Sequence, residues 1–221
     1  MKIKLGFVVI SAMALLFGSA SLVQAGVAEG KQVFSAKNCG SCHQTEGPAR
    51  EKTIEDQLAK KGPELWYAGN KFHKAFLQKW LADPKPIRGM EYYSLTKKNA
   101  GNHPKLAKGE ADNVTEYLMT LVSPDFKAAG IKPKNAPQGR LLFEKKQGCY
   151  GCHEVKKGAK VMGGLTGPTM VGISERVQPD WIYAYLSNPK VFKPVKDMPT
   201  YAGILSDSEI KMLAAFVSSL K

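Results

Sequence analysis

The sequence predicts an all-α protein built from two tandem copies of one small helical unit. Three observations carry this. Apolar residues recur at helical spacing in Leu205-x-x-x-x-Ile210-x-x-Leu213-Ala214-x-Phe216-Val217-x-x-Leu220, a single stripe on a 3.6-residue period. Gly62 to Lys85 aligns without a gap on Gly167 to Lys190, pairing Phe72 with Val177, Phe76 with Trp181, Leu77 with Ile182, Trp80 with Tyr185, Leu81 with Leu186 and Asp83-Pro84-Lys85 with Asn188-Pro189-Lys190. Finally, no run of alternating β-branched residues bounded by tight hairpin turns is present, so no strand is expected.

Taken in order, the chain opens with Lys2 and Lys4, an apolar run from Leu5 to Gly18, and Val23-Gln24-Ala25 before Gly26. This reads as a secretory signal peptide over residues 1–25. The run is shorter than the ~20 residues of a membrane span, which favours removal over retention as an anchor. The first domain, 26–122, carries Gly30-x-x-x-Phe34 and helical stripes over Phe72 to Leu81 and Val114 to Leu121. A linker over 123–138 contains Pro124, Pro133 and Pro137 and is semi-rigid and poorly helical. The second domain, 139–221, repeats the pattern with Gly139-x-x-x-Phe143 and Trp181 to Leu186. Its last helix starts at a capping box, Ser206-Asp207-Ser208-Glu209. Tyr117-x-x-x-Leu121 matches Phe216-x-x-x-Leu220, and gene duplication is the economical account. Units of this size are small for a self-sufficient core.

All four cysteines fall in two pentapeptides, Cys39-Gly40-Ser41-Cys42-His43 and Cys149-Tyr150-Gly151-Cys152-His153. Cysteines three apart put two thiols within reach of the vinyl groups of a protoporphyrin, with the adjacent histidine placed to ligate iron. A four-cysteine zinc site is the first rival, but the interval between the pairs is far longer than such sites use. A thiol–disulfide motif is the second, and it has no need of a histidine in fifth place, twice. The sequence favours covalent haem over both.

These pentapeptides resemble the haem-attachment sites of c-type cytochromes, and the segment downstream of each resembles the class I branch in tandem dihaem form. The resemblance runs from Gly30 to Lys221. It implies two tandem class I cytochrome c domains, each a small helical unit around one covalent haem c, with Cys39, Cys42, Cys149 and Cys152 as attachment points and His43 and His153 as proximal iron ligands. Gly62-Pro63-Glu64-Leu65 and Gly167-Pro168-Thr169-Met170 match the family segment whose proline carbonyl accepts a hydrogen bond from the proximal histidine, which assigns that role to Pro63 and Pro168. Met198-Pro199 resembles the axial methionine loop. Gly30 and Gly139 match positions where an N-terminal helix crosses a C-terminal one. With haem filling the middle of each unit, the apo-protein is expected to be poorly folded.

The first domain departs from the family at its sixth ligand. It has no Met-Pro; an extended segment carries Met90 early and His103-Pro104 late. Aligned backwards from the C-terminal helix, His103-Pro104 takes the place of Met198-Pro199, so His103 is expected as the ligand ahead of Met90. His73, a vacant position and water are the remaining alternatives. His73 is expected to be a solvent-facing polar residue on a helix. Histidine donates more strongly than a thioether, so the first haem would lie lower in potential than the second.

The chain bears a formal net charge of +13, or +11 without Lys2 and Lys4. Such a surface steers encounters with acidic patches. The expected partners are redox proteins with acidic docking patches, with peripheral association with membrane respiratory complexes as a further expectation; export and haem attachment argue against nucleic acid. Lys156-Lys157-Gly158-Ala159-Lys160 and the stretch from Lys193 to Lys196 are the expected docking residues. Leader and haem chemistry together place the protein in a bacterial periplasm, free of the membrane once the leader is removed. The expected function is carriage of single electrons. The alternative is a haem enzyme of peroxidase or sulfur-compound dehydrogenase type with an open or displaceable ligand in domain 1, for which the extra loop from Pro86 to Asn102 is the one hiding place. No catalytic residue is assigned.

Overall fold

The computed structural model describes residues 26–92, 94–195 and 198–221. The leader over 1–25 lies outside them. The chain is helical, as expected. Helix α1 covers 26–36; α2, Ile54–Leu58; α3, Ala68–Lys71; α4, Lys74–Ala82; and α5, Lys108–Met119. The second half contributes α6, Pro137–Leu141, which runs on into a π-helical turn at Leu142–Lys146, then α7, Ile173–Arg176, α8, Pro179–Ser187, and α9, Asp207–Val217.

The helix ends have local causes. At α9 the Ser206 hydroxyl accepts from Glu209 N at 3.2 Å while the Glu209 carboxylate accepts from Ser206 N at 3.0 Å, closing the expected capping box. Pro137 and Pro179 sit in the first turns of α6 and α8, where a missing N–H costs nothing. Helix α6 thus begins within the Pro-containing 123–138 segment. That segment is laid across the second half: Ile131 N donates to Asp180 at 2.7 Å and Lys134 N to Ala215 O at 2.8 Å.

Two apolar clusters form, one per repeat. The first gathers Phe34, Phe72, Leu77, Leu81, Leu106, Val114 and Leu118. The second gathers Phe143, Ile173, Trp181, Ile182, Leu186, Phe192, Leu213 and Phe216 with their neighbours. The duplication is visible in matching contacts. Phe34 meets Tyr117 at a centroid distance of 5.5 Å, and Phe143 meets Phe216 at 5.6 Å. A Cβ at Gly30 would collide with Asn113 O of α5, and one at Gly139 would lie 2.5 Å from Phe216 Cβ and 2.6 Å from Met212 O of α9. Only glycine permits these helix crossings.

The repeats meet along a seam with twofold character. Phe72 and Val177, equivalent residues, pair antiparallel; His73 N donates to Arg176 O at 3.1 Å and Gln178 N to Lys71 O at 2.8 Å. Trp66 and Tyr67, though they lie just beyond the first Gly-Pro segment, belong to the second cluster: Tyr67 stacks on Trp181 at 4.5 Å.

Two expectations are corrected. A short antiparallel hairpin exists, β1 Val155–Lys157 with β2 Lys160–Met162. Gly158 at φ 60° makes its turn, a conformation that needs no β-branched run on either side. And His73 is not inside a helix. It is the N-cap of α4, held there because its N–H is spent on Arg176 O across the seam.

Candidate haem sites

The two Cys-x-x-Cys-His segments fold alike. Each makes a 3-10 turn, Cys39–Ser41 and Cys149–Gly151, entered through a left-handed residue, Asn38 at φ 54° and Gly148 at φ 56°. His43 N and His153 N then donate to Cys39 O and Cys149 O, both at 3.1 Å. The four thiols are unbridged. Burial raises the Cys39 pKa and pushes Cys149 up to about 11, the opposite of the depressed thiol on which redox Cys-x-x-Cys pairs depend.

Both histidines are anchored through one nitrogen. His43 Nδ1 donates to Pro63 O at 2.8 Å and His153 Nδ1 to Pro168 O at 2.7 Å. Each Nε2 therefore keeps its lone pair. The rings have little room to turn: a Cβ at Gly62 would lie 2.8 Å from His43 Cε1, and one at Gly167 would lie 2.5 Å from His153 Cε1. Burial lowers both histidine pKa values against the opposing pull of the proline carbonyls, so both rings are held neutral, the form that ligates metal.

Facing His43 is His103. Their ring centroids are 6.0 Å apart, and His103 Nδ1 donates to Pro104 O at 2.9 Å, leaving its Nε2 unprotonated as well. An imidazole nitrogen binds a first-row metal at about 2 Å, so two such ligands on opposite sides of one ion place their ring centres about 6 Å apart. The donor pair fits an iron between them. Trp80 of α4 lies against the His103 ring, centroids 4.6 Å apart.

Backbone register relates His103 to Met198. Leu106 N donates to Leu81 O at 3.0 Å, and Tyr201 N donates to Leu186 O at 3.2 Å. Leu81 and Leu186 are equivalent in the repeat, so Leu106 matches Tyr201. Three residues back in each stand His103-Pro104 and Met198-Pro199. Met198 is half-buried and packs against the second cluster. Met90 is instead engaged with the other repeat, its N donating to Leu165 O at 3.3 Å. The whole loop leans the same way: Thr169 N donates to Ile87 O at 2.7 Å, and the Arg88 guanidinium donates to Thr166 O.

Sequence reasoning missed the charges of the seam. Glu64, 1% exposed, is paired with Lys60 and, at 2.7 Å, with Lys193 of the second repeat, and it accepts from Tyr67 Oη at 3.2 Å. Burial alone would raise its pKa; Lys193 and Lys60 outweigh that and hold it at about 2. Lys193 also donates to Tyr92 Oη at 2.7 Å. With its side chain only 12% exposed, Lys193 is a seam residue and not the docking residue expected; Lys196 lies outside the described residues. Lys71 and Arg176 are repeat equivalents too. Burial brings Lys71 down to about 7 and Arg176 to about 10; the Lys71 ammonium lies 4.8 Å from the Phe72 ring centre, and the Arg176 guanidinium donates to Thr169 O. An i, i+8 step from each Gly-Pro proline, read against the repeat, could have found this pair. Lys156, Lys157 and Lys160 are exposed on the hairpin.

Residues 27–122 match the family Cytochrome c, and residues 134–217 match Cytochrome C oxidase, cbb3-type, subunit III. The chain is 25% identical over 208 residues, 90% of its length, to the Cbb3-type cytochrome c oxidase subunit CcoP of Azospirillum brasilense, of which it covers 63%. It is 24% identical over 203 residues, 88% of its length, to the protein of the same name in Azospirillum sp. (strain B510), of which it covers 62%. A 97-residue stretch, 42% of the chain, is 33% identical to Cytochrome c oxidase subunit 2 of Bacillus subtilis (strain 168), covering 26% of that protein. The chain thus spans somewhat under two thirds of the two CcoP relatives. No solved structure matches. Among the described residues, no helix is long and apolar enough to cross a membrane.

Proposed function

Because this chain is a tandem c-type cytochrome with one covalently bound haem c in each of its two cytochrome c domains, we propose that it is an exported carrier of single electrons whose first haem has two histidine ligands, His43 and His103, and whose second has His153 and Met198. The observation that carries this is the 6.0 Å separation of the His43 and His103 rings. Each haem supplies an iron that accepts and releases one electron. The chain's residues do the rest. Cys39, Cys42, Cys149 and Cys152 fix the groups covalently, and Pro63 and Pro168 hold the Nδ1 protons of the proximal histidines, which keeps each Nε2 aimed and basic. His103 and Met198 would supply a second protein ligand to each iron, which would leave neither domain an open coordination site for a substrate.

The unlike sixth ligands set the direction. A second imidazole favours the ferric state more than a thioether does, so with these ligands the first haem would lie lower in potential and the second would be the favoured acceptor. Two relatives are named as subunits of a cbb3-type cytochrome c oxidase, which supports a membrane respiratory complex as partner. The basic hairpin residues Lys156, Lys157 and Lys160 suit an acidic docking patch there. Export is supported by the signal-peptide pattern of residues 1–25, with cleavage expected between Ala25 and Gly26.

Magnetic circular dichroism of the oxidised holoprotein tests the ligand sets together: one bis-histidine and one histidine–methionine signature are expected. Prompt, stoichiometric carbon monoxide binding at one haem of the reduced protein would overturn the carrier reading in favour of an enzyme.

A further inference from the structure

We infer that each repeat positions the proximal histidine of the other, through a basic residue laid on the opposite Gly-Pro segment: Arg88 on Leu165–Pro168, and Lys193 on Glu64. Carrying the gapless alignment three residues beyond Lys85 and Lys190 makes Arg88 and Lys193 equivalents. Each crosses the seam. Arg88 pairs antiparallel with Pro168, and its guanidinium donates to Thr166 O. Lys193 reaches the Glu64 carboxylate at 2.7 Å. Glu64 and Thr169 come directly after the two prolines, and Thr169 is held too, its N–H on Ile87 O at 2.7 Å. So both acceptors of the histidine Nδ1 protons, Pro63 O and Pro168 O, are flanked by a residue tied to the other repeat.

The Arg88 strap is built for a fixed position. Its loop closes on itself, with Glu91 N on Lys97 O and Asn99 N on Gly89 O, both at 2.9 Å, and a 3.0 Å ion pair between Lys97 and Glu91. It also touches the other repeat closely enough that a Cβ at Gly89 would lie 2.7 Å from Leu165 Cδ2. A carbonyl held in place keeps its hydrogen bond to the histidine short, and a strongly bonded Nδ1–H makes the imidazole a better donor to iron. Arg88 is on this account a positioning residue for His153, acting from the first domain on the haem of the second. The added loop of domain 1 thereby has a task that needs no substrate.

The inference rests on the carrier reading and is tested apart from it. Gly89→Val pushes the strap off Leu165 without altering any charge. In the holoprotein, redox titration with the two haems resolved spectrally is expected to show a several-fold rise in the reduced-to-oxidised ratio of the second haem at fixed ambient potential, with the first unchanged. Proton NMR of the ferrous protein is expected to show the His153 Nδ1–H resonance moved upfield. Arg88→Lys, which keeps the charge and loses the planar fork, is expected to give a smaller change in the same sense; it also carries the test should the glycine variant load haem poorly. An unmoved second haem and Nδ1–H resonance in both variants would overturn the inference, as would equal movement of both haems. Failure of the carrier reading would show separately, as a high-spin haem in the oxidised wild-type protein.

Discussion

The indole of Trp80 lies 4.6 Å, centroid to centroid, from the His103 imidazole, and its Nε1 donates to Lys85 O at 2.8 Å. Helix α4 thus buttresses the ring that faces His43. His103→Ala would remove a donor without disturbing that helix, since Leu106 N still holds the segment on Leu81 O. The first haem is expected to become high-spin and to bind carbon monoxide. Met90→Ala is expected to leave it low-spin, because His103 is the side chain whose ring lies 6.0 Å from that of His43. Electron paramagnetic resonance of the two oxidised variants makes the comparison.

The glycines under the proximal histidines make a second test. Neither Gly62 nor Gly167 has a positive φ, so alanine there is opposed by contact alone. At Gly167 the new Cβ would meet His153 Cε1 and Nδ1 at 2.5 Å and Cys152 O at 2.9 Å; at Gly62 the closest approach is 2.8 Å, to His43 Cε1. Overpacking of this kind costs about 1–3 kcal/mol. Gly167→Ala is expected at the upper end and Gly62→Ala below it, as read by urea unfolding of the holoproteins.

Much of the fold and of the haem sites was legible in the sequence, because those features are local or repeated. The capping box at Ser206, the Cys-x-x-Cys-His turns and the crossing glycines Gly30 and Gly139 each depend on a handful of neighbouring residues. The repeat then sets the register that brings His103 level with Met198. What was not legible is what lies between the repeats. Tyr67 looks like part of the first domain and packs on Trp181 of the second; Lys193 looks like a surface cation and is paired with buried Glu64. A sequence alignment of two halves shows which residues are equivalent and not which of them reach across the seam. The β1–β2 hairpin escaped notice because three-residue strands leave no periodicity to detect.

Glu64 is the charged centre of that seam. Glu64→Gln would leave Lys193 and Lys60 facing a neutral amide in a buried site, a change that costs about 3–5 kcal/mol when one member of a buried pair is removed. The double variant Glu64→Leu, Lys193→Met is expected to recover part of the loss. The pH dependence has a definite sign. Glu64 has a folded pKa of about 2 against an ordinary 4.5. Its contribution is therefore complete above about 4.5 and is lost as pH falls toward about 2. Urea midpoints measured down that range should fall in the wild type and flatten in Glu64→Gln.

Gln178 closes the seam on its other side. The side-chain amide nitrogen donates to Gly69 O at 2.8 Å and to Phe72 O at 3.0 Å, both in the first repeat, while its own N–H reaches Lys71 O at 2.8 Å. The equivalent residue in the first repeat, His73, supplies the backbone half of this arrangement, its N–H on Arg176 O. Gln178→Ala would strip two carbonyls of a donor in a part-buried place, at a cost of about 1–3 kcal/mol. The loss falls on the contact between repeats and not within either cluster, because none of the three acceptors belongs to the helix that Gln178 caps. Hydrogen exchange is the discriminating measurement. The amides of Gln178 and His73, which cross the seam, are expected to lose protection, while those of Leu213 in α9 and Val114 in α5, at the centres of the two clusters, keep theirs. Equal loss at all four sites would mean that the two repeats unfold as one unit and that the seam has no stability of its own.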